Sequence, residues 1–134
     1  MSTKIEQKAK KYLLNKFNKP GYRFTESNQN GFDLLLKIER QQNIKIELKA
    51  TKMKFEEKNK NKIFSQLYFS SEKEVELFQK GKTKILRIFL GNRPYKMFLI
   101  DKKILKNDVK FQIEYRAKLV GKKNYNSEGI SKFP

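Results

Sequence analysis

The chain has 134 residues, with 32 Lys+Arg against 14 Asp+Glu and a formal net charge of +18. It contains neither Cys nor His, which excludes disulfides, thiolate chemistry, a conventional zinc site and every His-dependent mechanism. No apolar run reaches the length of a membrane span and residues 1–11 lack the apolar stretch of a signal peptide, so the expectation is a soluble protein, with the missing Cys fitting a reducing cytoplasm.

Any bound metal must therefore be hard and oxygen-ligated, with Mg²⁺ or Mn²⁺ first. So basic a surface attracts polyanions, above all nucleic acid, and DNA ahead of RNA. The competing reading is a Lys-rich composition with no such partner. Aromatic residues make up 13% of the chain, enough to supply a core and to argue against disorder. The length suits one domain with a modest core, here residues 1–118, followed by a basic, flexible tail over 119–134.

In chain order, Thr3 to Asn18 reads as an amphipathic helix with Ile5, Ala9, Tyr12, Leu13 and Phe17 at helical spacing. Glu6 sits at the edge of that apolar stripe, and two readings stand for it. It can reach toward a metal or its waters, or it can close a capping box with Thr3. Tyr22 to Glu26 reads as a short strand leading into the polar loop 27–31, where Gly31 supplies a positive φ or a close backbone approach.

The organising stretch follows. Phe32, Leu34, Leu36 and Ile38 alternate along one strand, and Ile44, Ile46 and Leu48 along the next, with the polar link 39–43 predicting a hairpin. Pairing the two brings Asp33 near Glu47 and Lys49 on the opposite face. Two carboxylates and an ammonium at one strand edge can hold a divalent metal and position a water. Acidic-x-Lys alone says little, since it recurs at Glu6/Lys8, Glu56/Lys58, Asp101/Lys103 and Asp108/Lys110. Only Glu47/Lys49 lies inside an apolar alternating strand preceded by an Asp that opens another. The bland alternative is a cross-strand salt bridge on a solvated sheet face, worth about 0–1 kcal/mol.

Beyond it, residues 50–62 read as a flexible basic loop. Lys52, Lys54, Lys58, Lys60 and Lys62, with Lys45 on the preceding strand, are the expected phosphate contacts. The other reading of the loop is a merely solvated one. Ile63 to Ser70 is β-prone, Ser71-x-x-Glu74 opens a helix that Gly81 ends, and there Glu74 is read as a capping residue ahead of a ligand. Residues 84–90 and 95–100 form a second hairpin, and Val109 to Tyr115 adds an edge strand.

A helix bearing Glu6, a strand, Asp33 and then Glu47-Leu48-Lys49 resembles the core of the PD-(D/E)XK nuclease superfamily over residues 3 to 100. Gly31-Phe32-Asp33, Ile46-Glu47-Leu48-Lys49 and the Ser71-x-x-Glu74 helix are similar to the NO VEIN C-terminal nuclease-like domain. The same order also resembles archaeal Holliday junction resolvases. One departure is Phe32, where a Pro often precedes the Asp. The resemblance implies an α+β, restriction-endonuclease-like fold, a central mixed sheet flanked by helices, and Mg²⁺-dependent phosphodiester hydrolysis. It implies Asp33 and Glu47 as metal ligands, the Leu48 carbonyl as a third, Lys49 as the group that orients the attacking water, and Glu6 as an outer ligand. Cutting both strands would need two sites, as in a homodimer. A non-catalytic nucleic-acid-binding module and an RNA-directed nuclease are the alternatives.

Overall fold

A computed structural model describes residues 4–28, 31–106 and 108–134. Thr3, half of the expected capping box, and Gln29 and Asn30 of the polar loop lie outside them. The elements are α1 (Lys4–Asn15), β1 (Tyr22–Glu26), β2 (Leu34–Ile38), β3 (Ile44–Thr51) and α2 (Glu72–Gln79). They continue with β4 (Lys84–Phe89), β5 (Lys96–Ile100), β6 (Val109–Ile113), β7 (Ala117–Gly121) and β8 (Ile130–Phe133). Short 3₁₀ turns occupy Glu57–Phe64 and Lys102–Lys106.

The expected α+β architecture is present. Six strands form one mixed sheet in the order β1-β2-β3-β4-β5-β8, with β6 and β7 paired separately. All neighbours in the large sheet are antiparallel except β3 and β4. That parallel pair requires a crossover, which residues 52–83 supply, carrying α2 with them.

Alternation along the strands sorts the core into two layers. Leu34, Leu36, Ile46, Leu48, Leu86 and Ile88 pack under Ala9 and Leu13 of α1. Ile85, Phe89, Phe98 and Ile100 point the other way, against Phe64, Leu67, Phe69, Phe78 and Leu119. Gly31 has φ +96, and a Cβ there would meet Leu77 Cδ1 at 2.5 Å, so both reasons expected for a glycine apply.

Four expectations are corrected. The tail is not a flexible arm: β8 pairs with β5, and Phe133 stacks 5.6 Å from Phe17 and lies edge-on to Phe24 at 5.8 Å. The apolar content of that strand is only Ile130 and Phe133, too sparse to register against the polar residues before it. β6 pairs with β7 in the separate two-stranded sheet, so it is not the large sheet's edge strand.

The loop 50–62 is pinned rather than flexible. Phe55 is buried against Phe98 at 4.8 Å, and its backbone exchanges bonds with the Asn92 side chain at 2.8 and 3.2 Å. Finally, residues 63–70 form no full strand. They leave the 3₁₀ turn at Phe64 and run beside β7 through a single bridge, Tyr68↔Lys118, with Leu67 and Phe69 buried.

Candidate functional site

The site begins where β2 and β3 stop pairing. Their ladder ends at Leu34↔Ile46, and the Asp33 N–H donates to the Ile46 carbonyl at 2.8 Å. β3 runs on to Thr51 with no strand on that side among the described residues. Asp33 closes the gap with its side chain, Oδ2 accepting the Leu48 N–H at 2.8 Å. The N–H and C=O of one strand residue lie on the same edge, so the Leu48 carbonyl faces this gap too.

Glu47 and Lys49 project from the face opposite Leu48, toward the layer that holds α2. They are 3% and 5% exposed, so the solvated salt bridge is overturned: this is a buried ionic cluster. Lys49 Nζ lies 3.3 Å from Glu47 Oε1 and 3.1 Å from Glu74 Oε1, beneath which the Phe69 ring sits 5.6 Å away.

Glu74 is the member that sequence reasoning missed. Ser71 does cap α2, accepting the Glu74 N–H at 3.3 Å. The Glu74 carboxylate, however, bonds the Ser70 N–H at 2.8 Å and Lys49 besides. The capping spacing carried the signal, because it places that carboxylate at the helix start, facing the sheet.

Burial dominates the electrostatics. It pushes Glu47 up to about 10, with the Lys49 charge opposing and the Asp33 and Glu74 charges adding. Glu47 Oε2 is buried and accepts no hydrogen bond among the described residues, while a side-chain hydrogen bond with Asp33 adds to the upward push on Glu47. Burial also raises Glu6, against the Lys49 charge and with those of Asp33 and Glu74. For Lys49, burial acts downward, but Glu47, Glu74 and Glu6 outweigh it and its pKa is raised. Glu6 thus senses the cluster electrostatically.

Arg87 was not foreseen. It lies on β4 opposite Lys49 in the parallel ladder and is 1% exposed. Its guanidinium donates to the Lys49 carbonyl at 3.5 Å and to the Ser65 carbonyl at 2.5 Å. Burial pushes it down to about 10, against the Glu6 charge. An Arg amid Leu86, Ile88 and Phe89 was the available signal: a charge in a strand buried on both faces needs a reason.

A cleft of about 280 Å³ opens beside the cluster, lined by Glu6, Lys49, Gln66, Tyr68, Arg87 and Arg116 among others. The basic residues of the 50–62 segment do not line it. Lys45, Lys52, Lys54 and Lys58 are exposed, with Lys45 over the Phe32 ring at 5.4 Å. Lys60 is engaged structurally: Nζ donates to the Tyr125 carbonyl at 3.0 Å, and the Tyr125 hydroxyl donates back to the Lys60 carbonyl at 3.1 Å. Lys62 lines a neighbouring groove with Gln66 and Lys118.

The donor set suits a hard divalent ion in one respect. A buried Glu47 oxygen that accepts no hydrogen bond lies in a cluster with Asp33, and Mg²⁺ accepts one or two carboxylates while keeping its waters. Among the described residues, no three Asp or Glu side chains are spaced as a ready-made cage. No protein family, curated protein or solved structure matches the chain, so its chemistry rests on these residues.

Proposed function

We propose that this protein is a metal-dependent nuclease that hydrolyses phosphodiester bonds of nucleic acid, DNA first. The observation that carries this reading is the juxtaposition of Asp33 and Glu47, with Lys49, at the point where β2 and β3 stop pairing. The PD-(D/E)XK resemblance and the mixed sheet behind helix α1 support it, as does the charge of +18.

In this reading Asp33 and Glu47 hold Mg²⁺ or Mn²⁺, with the Leu48 carbonyl on the same edge as Asp33. An ion held there would lower the pKa of a water and neutralise phosphate charge. Lys49, fixed between Glu47 and Glu74, holds that water in line and faces the developing charge on the phosphate. Glu6, on the first turn of α1, orients the outer waters. Arg87 keeps the Lys49 backbone in place through its carbonyl. Cutting both strands of a duplex takes two such sites, which a homodimer supplies.

One observation favours a second reading. Lys49 already satisfies one oxygen each of Glu47 and Glu74, so the cluster is stable as a self-paired group, and the same fold then serves as a non-catalytic nucleic-acid-binding module. Supercoiled plasmid incubated with Mg²⁺ or Mn²⁺ decides between them, beside an EDTA control and Glu47→Ala. Metal-dependent nicking that disappears in the variant is the expected result. Cleavage that persists in Glu47→Ala overturns the site, and salt-sensitive binding with no cleavage of DNA or RNA favours the second reading.

A further inference from the structure

The β6–β7 hairpin ends in two apolar side chains that the core does not use: Ile113 is 75% exposed and Tyr115 is 96% exposed. They overhang a groove of about 540 Å³ whose other wall is α2, with Val75 at its centre. That size is within the range of small-molecule pockets. The groove is not isolated. It shares Ser70 and Arg116 with the cleft beside Lys49, and the cleft in turn shares Gln66 with the groove that Lys62 and Lys118 line. Three concavities thus run in sequence across the protein, apolar and aromatic at one end, catalytic in the middle and basic at the other.

The charges along this track differ in sign. Arg116 and Lys118 flank the cleft, both over the face of Tyr68, at 5.5 and 5.9 Å. The apolar groove instead carries Glu72 and Glu76 on its α2 wall. Two carboxylates repel a phosphate but accept hydrogen bonds from the amino groups of a base. An exposed tyrosine offers a flat face that any base can stack on.

We infer that the groove between α2 and the β6–β7 hairpin is a nucleobase site, which takes an unstacked base while Arg116 grips the adjoining phosphate at the mouth of the cleft. The substrate class is therefore nucleic acid with single-stranded or unpaired nucleotides. A continuous duplex keeps its bases stacked inside and cannot fill the groove without extruding one. This deepens the nucleic-acid reading above and rests on it.

The test is binding in EDTA, at one fixed salt concentration moderate enough that phosphate-driven binding of the abasic strand is still measurable. The probes are a short fluorescein-labelled DNA strand, its abasic counterpart with the same number of phosphates, and the corresponding duplex. Wild-type protein is expected to bind the base-bearing strand roughly tenfold more tightly than the abasic one. Tyr115→Ala combined with Ile113→Ser, both at exposed positions, is expected to erase that difference and leave abasic binding unchanged. Arg116→Ala is expected to weaken both strands alike. Equal affinity for the base-bearing and abasic strands, preference for the duplex, or an unaltered difference in the double variant overturns the inference. Because no metal is present, a catalytically dead site leaves this result untouched. Conversely, metal-dependent cleavage without base discrimination removes the groove and keeps the nuclease.

Discussion

Asp33 holds the backbone of Leu48 across the point where the β2–β3 ladder ends, its Oδ2 accepting that N–H at 2.8 Å. The carboxylate therefore has a structural duty as well as a proposed metal-binding one, and two substitutions separate them. Asp33→Asn keeps a carbonyl oxygen for Leu48 and is expected to unfold in urea close to wild type. Asp33→Ala leaves a part-buried N–H unpaired and is expected to cost about 1–3 kcal/mol. Both are expected to abolish metal-dependent cleavage. Wild-type activity in Asp33→Asn would remove Asp33 from the metal site.

Glu47 and Glu74 share one ammonium but differ in what else they do. Glu47→Gln keeps the shape and removes a titratable carboxyl from a crowded acidic cluster, in which one Glu47 oxygen accepts no hydrogen bond among the described residues. Stability is expected to stay level or rise by up to about 2 kcal/mol while Mg²⁺ binding, read by calorimetry, is lost. Glu74→Ala strips Lys49 of one counter-charge and Ser70 of its acceptor. It is expected to cost about 3 kcal/mol in a denaturant melt.

Lys60 and Lys62, two residues apart, are expected to fail differently. Lys60 is tied to Tyr125 through both backbone and side chain, so Lys60→Ala should lower the melting temperature with little effect on DNA affinity. Lys62 lines the basic groove next to the cleft. Lys62→Ala should weaken DNA binding and reduce the slope of log K against log salt by about 1, with the melting temperature unchanged. Salt titrations of the two variants, with thermal melts alongside, give the comparison.

Phe133, almost at the end of the chain, is expected to behave as a core residue. It is 7% exposed and packs against Phe17, Tyr22 and Phe24, so Phe133→Ala should cost about 3 kcal/mol in urea unfolding. An unchanged midpoint would mean that β8 is dispensable.

The pattern of Phe133 and its neighbours explains what the sequence could not convey. Period-two alternation made β2, β3, β4 and β5 legible, because each has a face of Leu, Ile or Phe several residues long. β8 joins the sheet through its backbone with only two apolar side chains, and the stretch around Phe55 is ordered by one buried ring and the Asn92 amide. Neither device leaves a periodic trace. The site divides in the same way. Asp33, Glu47 and Lys49 were legible because they interrupt apolar strands at adjoining rungs. Glu74 and Arg87 arrive from other elements, and only the crossover between β3 and β4 brings them to Lys49.

The end of the β2–β3 ladder ties the proposed metal site to the hydrophobic patterning of the two strands. Asp33 stands one residue before the first rung, so its distance from Glu47 is set by which leucine of β2 faces which isoleucine of β3. A slip of two residues would preserve every inward-facing side chain and still carry the carboxylate about 7 Å along the strand. Leu34 and Leu36, buried under α1, thus act as the ruler for the site. Substitutions there that loosen the register should surface first as weakened metal binding, before the protein loses its fold.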